Sequence, residues 1–217
     1  LTTLQVYCEP FLSIRMVSHN PDTGELDLSD LKSKISEKTA AVYIENPTYL
    51  GYIESQCETI SEIAHENGAL LVAYVNPISL GVLAPPGQYD ADIACGEGQP
   101  LGLHMGCGGN ALGFLAGRDD ERIVSVMPPF IVGMTTTVKD EKTFSWHTLF
   151  ERTVYYSRER VKSFTGSSSW LWAISIATYL SLMGPQGMRR LGEVNMQKSH
   201  YAMERLSNIP GVKTPIF

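Results

Sequence analysis

The sequence predicts an α/β fold whose mostly parallel sheet is covered by helices on both faces. Two observations lead to this prediction. Several short segments are apolar along their whole length, and helical segments of about ten residues alternate with them. Pro, Asn or Gly follows these apolar segments, as is typical of strand ends. In such sheets ligands bind outside the carboxyl ends of the strands, so the residues at those ends are the informative ones.

The first predicted elements lie in the amino-terminal quarter of the chain. A strand is predicted at Ser13–Asn20. A helix over residues 28–35 follows Asp27, whose carboxylate can cap it. An apolar strand over residues 40–44 comes next, and Pro47 stops it.

The remaining elements follow in order. A helix over residues 57–67 is closed by Gly68, where a left-handed residue commonly ends a helix. Three further strands are predicted within the segments ALLVAYVNP, ADIACGEG and NALGFLAGR, the last antiparallel after a glycine-rich loop. A polar hairpin tip is predicted at Lys139–Lys142. Helices are predicted at Thr148–Lys162, Trp170–Met183 and Pro185–Asn208.

Composition excludes several classes of protein. The net charge of −6 and the lack of a basic cluster argue against nucleic-acid binding. No apolar run approaches the roughly 20 residues of a membrane span. The cysteines form no C-x-x-C pair, so we expect reduced thiols in a cytoplasmic protein and no metal site. The chain begins without Met or a signal-peptide pattern, and we expect a piece of a longer protein.

A glycine-rich segment runs from Gly96 to Gly117. It could wrap a phosphate or cofactor, or it could be a tight crossing from a parallel to an antiparallel strand. It matches neither the phosphate-binding loop, because the lysine is missing, nor the dinucleotide fingerprint, which should open a helix. His104 and Cys107 in this segment could form a catalytic pair, but a chance spacing is favoured.

Two groups of polar residues could bind ligands. Arg158, Arg160 and Lys162 lie near two tyrosines and could hold a phosphate or carboxylate, although the outward face of a surface helix is favoured. The residues at predicted strand ends could line a cleft, and they are Asn46, Asn76, Glu97, Gln99 and His104.

Three strand-end signals occur in one order: YIENPTYLGYIES, then ALLVAYVNPISLGVLAPPGQYDADIACGEGQPLG, then the glycine-rich segment. This series resembles the fold-type I pyridoxal-phosphate family, and within it subunit 1 of the glycine-cleavage P-protein. The likeness continues through MPPFIVGMT and YLSLMGPQGMRRLGEVNMQKSHYAMERL. The segments GNALGFLAG and SFTGSSSW differ from the sequence that is usual in the family. The resemblance implies that residues 1–184 belong to the large α/β domain. Residues 185–217 would then be a long helix leading into a smaller carboxyl-terminal domain.

The resemblance also implies where the cofactor chemistry should lie. A pyridoxal-phosphate enzyme needs a lysine for the Schiff base and an acid beside the pyridine nitrogen. By the resemblance the acid position is Asn76, and the lysine position falls within Glu97–Pro100. The sequence has no lysine between Lys38 and Lys139. This chain should therefore not form the aldimine by itself, and we expect it to contain no catalytic residue.

The family implies a subunit of a decarboxylating glycine dehydrogenase, which is an oxidoreductase. A lysine-bearing subunit 2 would hold pyridoxal phosphate in a cytoplasmic heterotetramer. The assembly would decarboxylate glycine and pass the aminomethyl group to the lipoyl arm of H-protein. Two alternatives stay open: another fold-type I lyase or transferase that uses Lys139 or Lys162, and a non-catalytic scaffold of the same fold.

Overall fold

A computed structural model describes residues 2–8, 11–106, 112–128, 130–148 and 169–214. The described residues belong to two compact units. Unit 1 comprises Leu1–Ala116 and Ser175–Phe217, and unit 2 comprises Gly117–Ile174. The helices are α1 (Thr2–Cys8), α2 (Leu28–Lys34), α3 (Cys57–Glu66), α4 (Glu121–Val124) and α5 (Trp170–Ser207). The strands are β1 (Ala41–Glu45), β2 (Leu70–Val75), β3 (Ile93–Glu97), β4 (Gly113–Gly117), β5 (Phe130–Thr136) and β6 (Lys142–Thr148).

The main sheet has the order β1-β2-β3-β4, and its first three strands are parallel. Gly98 N donates to Leu112 O at 2.8 Å, and the ring of Phe114 lies against Gly96. From the first contact to the second, the residue number falls by two on the β3 side and rises by two on the β4 side, as expected for an antiparallel β4. The predicted α/β fold with a mostly parallel sheet is confirmed.

The core lies on the face of the sheet that α3 covers. Every second residue of β2 is buried there, with Leu71 and Ala73 fully so. Ile60 and Ala64, one helical turn apart on α3, are also fully buried. Complete burial of an Ile or Leu side chain contributes about 1.5–3 kcal/mol. This packing against α3 holds β2, and with it the carboxyl end of the strand, in a fixed position in the sheet.

Local sequence signals set the helix ends. Asp27 caps α2 as predicted, because its carboxylate accepts hydrogen bonds from Ser29 N and Asp30 N. Gly68 follows α3 with a φ of 73°. The helices predicted at 170–183 and 185–208 are confirmed as the two parts of α5, which meet at a kink at Gly184, where φ is 60° and ψ is −179°.

Some predicted elements differ from the structure. Ser13–Asn20 forms only an isolated antiparallel bridge, His19 with Leu26, because no strand among the described residues lies beside the rest of the segment. The short helices α1 and α4 were not predicted. Most of the predicted helix at Thr148–Lys162, including Arg158, Arg160 and Lys162, lies outside the described residues.

The domain limits stay a prediction. The division into compact units falls near residues 117 and 174, whereas the predicted limit at 184 coincides with the kink in α5. In the described part of the chain, no helix combines the length and apolar character needed to cross a membrane.

Candidate functional site

Parallel pairing brings the carboxyl ends of β1, β2 and β3 to one edge of the sheet. Asn46 follows β1, Asn76 follows β2, and Glu97 is the last residue of β3. Gln99 and His104 come after β3 in the same loop. The sequence-predicted positions therefore share one edge, but their side chains make different contacts.

Asn46 is buried and is directed at its own loop. Its Nδ2 donates to Glu54 O and to Cys57 Sγ, each at 3.2 Å, and its Oδ1 accepts from Glu54 N at 3.3 Å. The side chain is 8% exposed. These contacts hold the segment after β1 to the first residue of α3, so the amide acts as a structural brace.

The sequence analysis missed Glu54, which completes this brace. It is 6% exposed, and its carboxylate accepts from Leu26 N at 2.7 Å and from Gln56 N at 2.9 Å. It thus joins the segment before α2 to the segment before α3. Its place three residues before the start of α3 was the local signal, whereas the contact with Leu26 cannot be read from the sequence.

Cys57 is the buried thiol of this group. Its Sγ donates to Glu54 O at 3.2 Å. Burial raises the pKa of the thiol to about 11. Because the thiolate is the nucleophilic form, Cys57 is unsuited to nucleophilic chemistry at neutral pH.

Asn76 is exposed and shapes the turn after β2. Its Oδ1 accepts from Ile78 N at 3.0 Å, and its carbonyl accepts from Ser79 Oγ at 2.7 Å. This is an Asx turn, which leads into the 3-10 turn Ser79–Gly81. The amide is neutral, so this position supplies no negative charge.

Glu97 and Gln99 fasten the glycine-rich loop to itself. Glu97 Oε1 accepts from Gln99 N at 3.0 Å and from Leu112 N at 2.6 Å. Gln99 Nε2 donates to Leu103 O at 2.8 Å. The carboxylate thus occupies two backbone donors that an anionic ligand could otherwise use.

Close packing explains two of the glycines in this loop. A Cβ at Gly96 would clash with the carbonyl oxygen of Val75 and with the ring of Phe114. Gly102 has a φ of 87° and lies against the ring of Tyr179. Of the two interpretations of the glycine-rich segment, the described residues favour the tight crossing between strands.

The pairing of His104 with Cys107 stays an untested prediction. His104 is exposed in the loop after β3, and Cys107 lies outside the described residues.

A polar cluster on the sheet face opposite α3 was not predicted. Register aligns Glu45 with Tyr74 and Tyr74 with Cys95. Tyr43 OH donates to Glu45 Oε1 at 3.0 Å. Burial and the Glu45 carboxylate hold the pKa of Tyr43 well above its usual range. Burial, with the nearby carboxylates of Glu97 and Glu45, also raises the pKa of Tyr74.

The cluster makes this edge of the sheet acidic, since Glu45 and Glu97 both influence Tyr74. A phosphate placed beside these carboxylates would be repelled. Burial alternates along β1 and β2, but their sequences are apolar almost throughout, and the register that unites the strands is not readable from sequence.

A serine, histidine and aspartate meet away from this edge, near the amino end of β2. His65 Nε2 lies 2.8 Å from Asp92 Oδ2, which also accepts from Leu71 N at 2.8 Å. Ser61 Oγ lies 3.5 Å from His65 Nδ1, but Ser61 is only 2% exposed. A buried hydroxyl cannot reach a substrate, so this network stabilises the packing of α3. Within the described ranges, no group of three or more His, Cys, Asp or Glu side chains could hold a metal ion.

The family model for the glycine cleavage system P-protein matches residues 3–214. Curated relatives named "Probable glycine dehydrogenase (decarboxylating) subunit 1" are similar over most of this chain. The protein from Staphylothermus marinus is 43% identical over 215 residues, covering 99% of this chain and 45% of the relative. The protein from Aeropyrum pernix is 41% identical over 207 residues, covering 94% and 44%.

A solved structure is also similar. The crystal structure of a glycine decarboxylase (P-protein) of the glycine cleavage system, in inhibitor-bound form, superposes with a TM-score of 0.78 and 35% sequence identity. The match covers 100% of this chain and 48% of that one. The chain thus spans about half the length of the proteins that it matches.

Proposed function

The chain belongs to the glycine cleavage system P-protein family, and from that membership we propose that it serves as subunit 1 of a decarboxylating glycine dehydrogenase. A lysine-bearing subunit 2 holds pyridoxal phosphate. The assembled enzyme decarboxylates glycine and passes the aminomethyl group to the lipoyl arm of H-protein. A cytoplasmic heterotetramer is part of the same proposal.

The observation that carries the proposal is the chemistry at the ends of β2 and β3. Pyridoxal phosphate, when bound, supplies an electron sink that stabilises negative charge on the substrate. Holding it requires an amine for the Schiff base and an acid for the ring nitrogen. Asn76 offers an amide that is already engaged in its own turn. The residues at this edge therefore do not fit the cofactor.

Glu97, the last residue of β3, supports the same conclusion. Its carboxylate is bonded to Gln99 N and Leu112 N, and the surrounding edge is acidic. A phosphate ester carries up to two negative charges and would be repelled there. The chain also has no lysine between Lys38 and Lys139, and Lys139 lies in the turn that joins β5 to β6.

This chain then contributes structure instead of a reacting group. The braces formed by Asn46 and Glu97 keep the strand-end loops in fixed positions, where they can flank a cleft completed by the partner. Asn76 and His104 are exposed and stay candidates for lining that cleft. Asn46 is buried, and its hydrogen bonds hold the loop after β1 in place.

The test combines this chain with a lysine-bearing subunit 2, pyridoxal phosphate, glycine and lipoylated H-protein, and follows the exchange of carbon between glycine and bicarbonate. Each subunit is also assayed alone. We expect activity only in the mixture. In a separate experiment, the chain alone is incubated with pyridoxal phosphate and reduced with borohydride, and no single lysine should be labelled preferentially.

Two results would contradict the proposal. Exchange by this chain alone, with a yellow aldimine on one lysine, would make it a pyridoxal-phosphate enzyme in its own right. Full activity of subunit 2 without this chain, together with no binding between the two, would leave it a scaffold outside glycine cleavage.

A further inference from the structure

One face of the β5–β6 hairpin is apolar and exposed. Successive side chains of a strand point to opposite faces. Register pairs Val132 with Trp146 and Met134 with Phe144, which places all four on one side. We call these four residues the apolar hairpin face. Their exposed fractions are 62%, 52%, 65% and 71%, in that order.

The opposite face of the hairpin is the one suited to water. It carries Thr135, Thr143, Ser145 and His147, with Ile131 as its large apolar member. Ser145 Oγ lies 2.8 Å from His147 Nε2. A hairpin in water normally turns its polar face outward and packs its apolar face, so the apolar hairpin face has the composition of a contact surface.

Aromatic contacts extend this surface. The ring of Trp146 lies 5.9 Å from that of Phe130 and 5.2 Å from that of Trp170, which is 54% exposed. The three aromatic side chains can bury about 150–250 Å² each. At their exposed fractions, Trp170 and the apolar hairpin face together expose roughly 600 Å². One side of a standard protein interface buries about 800 Å². The patch therefore supplies most of one side of a stable interface.

The charges around the patch favour a protein over a membrane. The turn between the strands carries Lys139, Asp140 and Glu141, and Lys142 is the first residue of β6, so the charges at this end of the hairpin balance. A surface that binds anionic lipids carries an excess of Lys and Arg. Met, Phe and Trp, in contrast, are enriched at the centres of subunit interfaces.

We propose that the apolar hairpin face is the surface by which this chain binds the lysine-bearing subunit. The identity of the partner rests on the proposed function, whereas the surface rests on the hairpin itself. Contact with the partner would add to the packing that Phe130 and Trp170 already give to Trp146, and packing against another layer stabilises a two-stranded hairpin.

The test compares two neighbouring substitutions. Met134→Lys places a charge on the apolar hairpin face, and Thr135→Lys places the same charge on the opposite face, where Thr135 is also exposed. Binding of each variant to subunit 2 loaded with pyridoxal phosphate is measured by isothermal titration calorimetry. Circular dichroism of each free variant checks folding.

We expect Met134→Lys to weaken binding at least about tenfold and Thr135→Lys to change it less than about twofold. Phe144→Thr, which replaces one residue type enriched in strands with another, should also weaken binding.

Equal binding by the two lysine variants, with the unsubstituted chain still binding, would overturn this inference and leave the proposed function intact. Self-association of the unsubstituted chain that Met134→Lys abolishes, without effect on subunit 2, would assign the face to a second copy and also overturn it. No binding of the unsubstituted chain to subunit 2 would count against the proposed function as well.

Discussion

Glu97 Oε1 accepts a hydrogen bond from Leu112 N at 2.6 Å, which joins the last residue of β3 to the residue before β4. The same oxygen accepts from Gln99 N. One carboxylate thus closes the loop between a parallel strand and its antiparallel neighbour. At the sheet edge where the family resemblance expects cofactor chemistry, this side chain acts on the backbone of its own chain.

Removing this carboxylate should destabilise the protein. Glu97→Ala leaves two backbone donors without their acceptor, and we expect a loss of about 1–3 kcal/mol in the free energy of unfolding. Glu97→Gln keeps an acceptor oxygen and should lose less. Urea denaturation measures both. Glu193→Ala, which removes an exposed pair with Arg189, should change stability by less than about 1 kcal/mol. A Glu97→Ala variant as stable as the unsubstituted protein would show that the loop does not depend on this contact.

Asn46 should tolerate no change in its hydrogen-bonding groups. Asn46→Asp places a carboxylate against Glu54 O and near the buried Cys57 thiol, and we expect a cost of about 3 kcal/mol or more. Asn76→Asp is the matched control, because the exposed carboxylate can keep its bond to Ile78 N. Thermal unfolding compares the two. Similar melting temperatures for both variants would contradict the bracing role of Asn46.

Gly96 should not accept a methyl group. A Cβ there would overlap the Val75 carbonyl, so we expect Gly96→Ala to cost roughly 1–3 kcal/mol or more. Gly87→Ala is the control, because no atom lies within 4 Å of its added Cβ. That variant should be neutral or slightly more stable, by about 0.4–1 kcal/mol. Urea titrations of both variants measure the difference, and equal midpoints would argue against the close approach of the strands.

Stability should fall at alkaline pH through Cys57. Burial raises the pKa of its thiol from the ordinary value of 9.0 to about 11 in the folded protein. The folded state therefore holds the proton more tightly. This contributes roughly 3 kcal/mol to the free energy of unfolding, which is present below pH 9 and lost as the pH rises to 11. Burial also raises the pKa values of Tyr43 and Tyr89, which act in the same direction.

The contribution of Cys57 is isolated by comparison with Cys57→Ala. Urea unfolding at pH 8 and pH 10 is measured for both proteins, and the unsubstituted protein should lose more stability between the two. The same loss in both proteins would assign the alkaline sensitivity to the tyrosines.

Local signals predicted much of the fold. Asp27 marked the start of α2, Gly68 marked the end of α3, and continuous apolar runs marked β1 and β2. Each of these signals determines the conformation of residues only a few positions away in the sequence. The predicted strand at Ser13–Asn20 shows the limit, because a strand exists only where a neighbouring segment shares its backbone hydrogen bonds. In the described part of the chain this occurs only around His19, where Ser18 O accepts from Asp27 N and Asn20 N donates to Glu25 O.

The site was predictable in position and not in detail. The topology rule placed Asn46, Asn76 and Glu97 at one edge of the sheet. It could not distinguish the buried amide of Asn46 from the exposed amide of Asn76. Glu54 was missed because its principal partner, Leu26 N, lies 28 residues away in the chain.

The kink at Gly184 makes α5 two helices whose rotational phases are set separately. Before the kink, Ile176 and Tyr179 pack on Gly98 and Gly102; after it, Met188 lies against Gly81 and Gly192 against Val82. Each residue advances a helix by about 100°. In an unbroken helix, a one-residue insertion would rotate the side chains on one side of it away from the residues that they contact. Here the non-helical Gly184 can absorb such a change, so the two parts of α5 can vary independently in length and sequence.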